Sequence, residues 1–198
     1  MLEGQGIGIV IPARNEEDHI QNVLQTLPDF IDVAVVIDDG STDGTFQKAE
    51  LTKTKFEKII LRTDGIGVGG AIDLGHQHLL ENLQHPFISI VMAGDGQMDP
   101  QDLNALLQPI LSNKADFVKG NRMISDHTIK QMPKSRRRAS YILGKLTTLA
   151  SGRKTTDPQC GYTASSSELL KNWNWNKSWK GYGYPNYWLI HLSSEGWN

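Results

Sequence analysis

The chain has 198 residues and a mass of 22.0 kDa, with 38% hydrophobic and 21% charged residues and a net charge of −2. These values exclude a disordered or collagen-like chain, and the length excludes a repeat array or two full domains. The single cysteine, Cys160, excludes an internal disulfide and a cysteine-cluster metal site, and it suits a reducing compartment.

Residues 1–118 alternate apolar, β-rich runs with helical patterns, which predicts βαβ units and an α/β fold with a mainly parallel sheet. Strands are expected at 7–11, 33–37, 58–61, 87–92 and 116–119. Their nearly continuous Ile/Val content fits strands covered by helices on both faces. Between them, Asn15 is expected to cap a helix, Thr42 or Asp43 to cap the next, and Asp99 to cap a helix opening at Pro100. Beyond Gly120 the pattern predicts a polar loop to Pro133, a basic helix over about 134–150 and Gly/Pro/aromatic-rich segments. A helix from Trp188 then ends in a polar stub. No stretch approaches the roughly 18 continuous apolar residues of a membrane span, and Met1-Leu2-Glu3 lacks the features of a secretory signal, so a cytoplasmic chain is expected.

Charge divides along the same line. Residues 1–118 carry 7 Lys/Arg against 18 Asp/Glu, whereas residues 119–180 carry 13 against 3. Such segregation points to a basic surface facing an anionic ligand or lipid headgroup. The five-residue run 134–138 in a chain of pI near 6.3 is too little to imply a nucleic-acid partner.

In open α/β sheets ligands sit beyond the carboxyl ends of the strands. Three of the turns expected there are rich in reactive side chains: 12–17 (PARNEE), 38–45 (DDGSTDGT) and 94–100 (GDGQMDP). The first lacks the glycine trio of a dinucleotide site, and the Gly67-Val68-Gly69-Gly70 turn is a weak substitute whose N–H groups are candidates for a phosphate. Asp38, Asp39 and Asp95 at one edge would repel a bare diphosphate, at roughly 4 kcal/mol per contact at 4 Å and an effective dielectric near 20. A divalent cation resolves that conflict. Asp95 and Gln97, spaced i, i+2, offer hard oxygen donors suited to Mg²⁺ or Mn²⁺ with substrate oxygens completing the shell. Asp39 either binds a ribose or base or braces its turn through Ser41 or Thr42. Asp99 is read as a cap, His76 and His78 as solvated, and Cys160 as a buried structural residue.

The ordered set IVIPARNEE (9–17), IDDGSTDGT (37–45), 67–75, GDGQMDP (94–100), DFVKGNR (116–122) and DPQCGY (157–162) resembles the family 2 glycosyltransferases of the GT-A fold. The resemblance is strongest to polyprenyl-phosphate sugar synthases of the dolichyl-phosphate mannose synthase type. It implies a single glycosyltransferase domain over 1–198, with a nucleotide-binding half (1–118) and an acceptor half (119–198). It also implies inverting transfer from a nucleoside-diphosphate sugar, with peripheral contact at the inner membrane face. On that resemblance Pro12, Arg14, Glu16 and Asp39, with Asp38 and Gly69 beside them, fall at the nucleotide sugar. Asp95 and Gln97 fall at the metal and diphosphate, and Arg122 with one of Arg136, Arg137 and Arg138 at the acceptor phosphate. Two departures stand out: Ala93 replaces the first acid of the usual D-x-D, and 181–187 (GYGYPNY) has no carboxylate. A hydroxyl acceptor needs a general base, for which Asp157 is the candidate, while a phosphate acceptor does not. The alternatives are a transferase acting on a glycan hydroxyl and a nucleotide-sugar-binding module without turnover.

Overall fold

The structure, a computed structural model, describes residues 1–84, 86–123 and 134–198, the side chains of 134–136 excepted. Six strands form one sheet: β1 (Gly6–Ala13), β2 (Val33–Asp39), β3 (Glu57–Thr63), β4 (Phe87–Val91), β5 (Phe117–Lys119) and β6 (Thr163–Ser166). Their order is β3-β2-β1-β4-β6-β5. The β3, β2, β1 and β4 strands run parallel, and β6 pairs antiparallel with both β4 and β5. Because β6 is antiparallel to each neighbour, β5 points the same way as β4. All five predicted strands are present. The sixth was not expected, since Thr-Ala-Ser-Ser carries none of the Ile/Val signal of the others.

Helices cover both faces, which is why the strands read as unbroken apolar runs. On one side Ile7, Ile9 and Ile11 of β1 meet α1 (Ile20–Thr26), α2 (Thr45–Leu51) and α4 (Leu103–Leu111) through Val23, Leu24, Ala49 and Leu107. On the other, Val10, Val35 and Val91 meet α3 (Val68–Asn82), α6 (Ser167–Asn172) and α7 (Tyr184–Ser194) through Ala71, Leu79, Leu169 and Trp188. The long α5 (Lys134–Ser151) lies against α7. The predicted loop up to Pro133 lies mostly outside the described residues.

Three helix starts differ from expectation: α2 takes Gly44 as its cap residue in place of Thr42 or Asp43, although Asp43 Oδ1 accepts from Thr45 N at 3.0 Å. The α1 helix opens at Ile20, not Asn15, because Asn15 takes a left-handed conformation (φ 57°) that asparagine tolerates and a helix does not. The last helix opens at Tyr184, with Pro185 in its first turn. Asp99 caps as expected, accepting from Gln101 N at 2.9 Å.

Most of the late aromatics are core. Trp188 is buried, with the rings of Trp173, Tyr184 and His76 at 4.7, 5.3 and 5.5 Å. His76 is therefore not solvated: it is 1% exposed, its Nδ1 lies 2.8 Å from Ser89 Oγ, and burial lowers its pKa from 6.5 to about 3. The unfolded chain protonates this residue first, so acidification should erode stability from about pH 6.5 downward by up to about 1.4 kcal/mol per pH unit. Thermal melts across that window should show the slope, and His76→Gln should flatten it; parallel profiles would exclude His76 as the origin.

Candidate functional site

The parallel registers of β2, β1 and β4 set their carboxyl ends side by side, so the three reactive turns meet at one edge. The first two are knitted together. Asn15 N donates to Ser41 Oγ (2.9 Å), Thr42 N donates to Asn15 Oδ1 (2.9 Å), Glu16 N to Thr45 Oγ1 (2.7 Å), and Gly44 N to Glu17 Oε2 (3.0 Å). Gly94 N donates to Pro12 O at 3.0 Å, which ties the third turn to the first. Pro12 and Glu16 are half-buried at this rim, and Arg14 is exposed.

The two successive aspartates divide their tasks. Asp38 is fully buried: its Oδ1 accepts from Ser41 N (3.1 Å) and its Oδ2 faces Arg62 Nε at 3.3 Å. It braces the turn and presents no surface to a donor, which corrects its placement among ligand-contacting residues. Asp39 accepts from Thr63 Oγ1 (2.6 Å), Ile66 N (2.7 Å) and Gly67 N (2.9 Å), so it fastens the end of β2 to the entry of α3. Its brace runs through Thr63 and the 66–67 backbone, not through Ser41 or Thr42.

Gly69 also departs from expectation. Its N–H donates to Lys180 O at 2.9 Å, and a Cβ there would lie 2.1 Å from Trp179 O. Glycine at this position admits the 179–180 backbone to the start of α3, so the N–H is not available to a phosphate. That segment is anchored by buried Asp73, which accepts from Ser178 Oγ (2.8 Å), Lys180 Nζ and Tyr184 OH (3.0 Å). Burial nevertheless holds the Asp73 carboxyl above its ordinary range.

Asp95 sits half-buried in the third turn, one oxygen accepting from Gln97 N at 3.0 Å, and the Gln97 side chain is exposed. Burial, and then the charge of Asp95, raise the Glu16 carboxyl above its usual value. The rim therefore sets carboxylates close enough to repel one another, which a cation would relieve. No group of three or more His, Cys, Asp or Glu side chains among the described residues forms a metal cage. Asp95 and Gln97 offer two hard oxygen donors, a set that fits Mg²⁺ or Mn²⁺ of the kind that takes few protein ligands and fills its shell with phosphate oxygens and water.

A second cluster reaches the same edge because of β6. Strand β5 delivers Arg122 just past its carboxyl end, and Asp157 lies ahead of the start of β6, which pairs with the end of β4. Arg122 grips Asp157 bidentately, with Nε and Nη2 each 2.8 Å from a carboxylate oxygen, and its backbone N adds a third bond of 3.0 Å. Burial raises the Asp157 pKa, but the Arg122 side chain and backbone outweigh it and hold the carboxyl below its ordinary range. Lys119, which the sequence marked only as a strand end, donates Nζ to Cys160 O, and burial lowers its pKa to about 8 beside Asp157 and Arg122. Its one sequence signal was a lysine closing a strand read as buried. Tyr162 OH donates to Asp99 O (3.0 Å), which joins this cluster to the 94–100 turn. Cys160 is buried, as expected. Arg137 and Arg138 are exposed on α5, and the Arg136 side chain lies outside the described residues.

Comparison with known proteins bears on the fold and the family. Over 180 residues the chain is 31% identical to the UDP-N-acetylglucosamine–dolichyl-phosphate N-acetylglucosaminyltransferase of Methanococcus voltae, covering 83% of this chain and 71% of that one. It is 34% identical over 166 residues to an uncharacterized protein of Methanocaldococcus jannaschii, covering 83% of this chain and 66% of that protein's length. Glucosyl-3-phosphoglycerate synthase from Mycobacterium tuberculosis, crystallised with Mn²⁺, uridine diphosphate and glucosyl-3-phosphoglycerate, superposes with a TM-score of 0.73. That match covers 97% of this chain and 66% of that one at 21% identity, and it establishes the GT-A fold. The family model named glycosyl transferase family 2 matches residues 8–173, a span containing both clusters of the carboxyl edge, and the chain belongs to that family.

Proposed function

We propose that this chain transfers a sugar, with inversion, from a nucleoside-diphosphate donor to a polyprenyl phosphate. The observation that carries the acceptor class is the Arg122–Asp157 pair. Asp157 is the candidate base for a hydroxyl acceptor, yet its side chain is 1% exposed, both its oxygens are engaged by Arg122, and its proton affinity is lowered. A carboxylate so held is a poor general base. A phosphate acceptor is already anionic at neutral pH and needs none. The Methanococcus voltae relative, whose name specifies dolichyl phosphate, supports the same choice.

In this reading Pro12, Arg14, Glu16 and Asp39 flank the base and ribose, and Asp95 and Gln97 hold the cation at the diphosphate. A bound Mg²⁺ or Mn²⁺ would supply charge neutralisation for the departing nucleoside diphosphate. Arg122 spends Nε and Nη2 on Asp157, which leaves Nη1 to orient the acceptor phosphate. One phosphate oxygen attacks the anomeric carbon as the bond to the diphosphate oxygen breaks. The electron pair leaves with the nucleoside diphosphate, and attack from the opposite face inverts the centre. Positioning and fixed charge are the main catalytic terms.

Calorimetric titration of UDP- and GDP-sugars should show Mn²⁺-dependent binding that Asp95→Ala abolishes; unchanged affinity in the variant would remove Asp95 from the metal site. With a short-chain polyprenyl phosphate, Asp157→Asn should raise the acceptor KM more than it slows turnover, because Arg122 loses its anchor. If the same variant instead slowed turnover of sugar-hydroxyl acceptors by about two orders of magnitude with KM unchanged, Asp157 would be a base and the phosphate reading would be overturned. The substitution should also cost about 3 kcal/mol of stability at neutral pH. Because the folded carboxyl titrates below its unfolded value of 3.8, that contribution is complete above about pH 4 and disappears on further acidification.

A further inference from the structure

Helix α5 is amphipathic in the wrong sense for a helix that packs on a protein core. Among its described side chains the buried positions are Gly144 and Thr147, and Thr147 Oγ1 donates to Asn186 Oδ1 at 2.9 Å on α7. A Cβ at Gly144 would lie 2.8 Å from Thr155 O, so the small residue is what lets the helix seat against the 155–156 backbone. Four of its five large apolar side chains face outward, Leu143 being half-buried: Tyr141 and Ile142 are 60% exposed, Leu146 58% and Leu149 84%. These positions, with Arg138 and Lys145, recur at i, i+3, i+4, i+7, i+8 and i+11 and form one stripe. Lys145 Nζ lies over the Tyr141 ring at 4.7 Å. Between residues 127 and 156 the sequence has eight Lys or Arg and no Asp or Glu.

An exposed apolar stripe of this size marks an interaction surface, and the charge beside it selects the occupant. A second copy docked about a two-fold axis would set Arg138 and Lys145 against themselves with no acid on the helix to answer them. An anionic bilayer answers both features, taking the apolar stems below the headgroups and pairing the cations with lipid phosphates. We propose that the outer face of α5 docks the chain onto an anionic lipid surface. The inner face of α5 seats on Thr155 and Thr156, Thr156 Oγ1 accepts from Asn121 Nδ2 at 2.6 Å, and the next residue is Asp157, the partner of Arg122. Docking therefore brings lipid headgroups to the acceptor side of the site. The inference deepens the polyprenyl-phosphate reading and rests on it only for its purpose.

The test is co-sedimentation with vesicles of phosphatidylcholine alone and mixed with phosphatidylglycerol, with no donor or acceptor present. The chain should bind the mixed vesicles, release them at high salt, and bind phosphatidylcholine weakly. Leu146→Ser with Leu149→Ser should weaken binding at least about tenfold, and Lys145→Glu at least about fivefold, taking each cation near an anionic surface as roughly that factor. Melting temperature and donor binding should not change, because these side chains are exposed. Binding that is absent, indifferent to phosphatidylglycerol or unaffected by the leucine substitutions would overturn the proposal. So would a concentration-dependent dimer that the leucine pair abolishes, since a second copy would then cover the stripe. Turnover of a short polyprenyl phosphate free in solution separates the two readings: its absence in a vesicle-binding chain sinks the acceptor assignment alone, and its survival in the leucine variant shows the site intact.

Discussion

The meeting of Arg122 and Asp157 depends on one antiparallel strand. With β6 placed between β4 and β5, the segment before β6 and the segment after β5 arrive at the carboxyl edge together, so Asp157 and Arg122 meet in a bidentate pair. A parallel strand in that slot would have carried its leading segment to the opposite edge of the sheet. In the proposed reading the pair selects the acceptor, because a carboxylate held by a guanidinium serves as an anchor and not as a proton acceptor.

Two fields of opposite sign face each other across that edge. The donor side carries Glu16 and Asp95, close enough for one to raise the other's pKa, while the acceptor side carries Arg122 and the half-buried Lys119. A diphosphate and a phosphate both need positive charge around them. In the proposed reading the acceptor half supplies it from side chains, and the donor half has the donor set for a divalent cation. The segregation of charge between residues 1–118 and 119–180 is this division written along the chain.

The glycine-rich entry of α3 shows how a motif of one appearance can serve another end. Its backbone groups point outward as in an anion site, yet they are occupied by Asp39 from one side and Lys180 O from the other. Asp73, a lone acid in an apolar helical stretch, holds the 178–184 segment in place at that entry. Asp38 is similarly turned inward. These groups give the rim rigidity, and Arg14, Glu16, Asp95 and Gln97 remain exposed or half-buried there.

The parallel strands were legible in the chain alone, since Ile/Val runs bounded by turn residues can be buried on two faces only in a helix-covered sheet. So were the turns that hold the chemistry, because a parallel sheet sends every such turn to one edge. Strand β6 was not: its Thr-Ala-Ser-Ser has no apolar period and is a strand only because β4 and β5 offer open edges on both sides. Nor could residue order separate Asp38 from Asp39 or assign Gly69, because neighbouring residues differ there only in which way the backbone turns them. Whether Asp157 is a base or an anchor, and whether the apolar residues of α5 face the protein or its surroundings, depend on contacts between residues far apart in the chain. Those contacts exist only once the chain has folded and brought distant segments together.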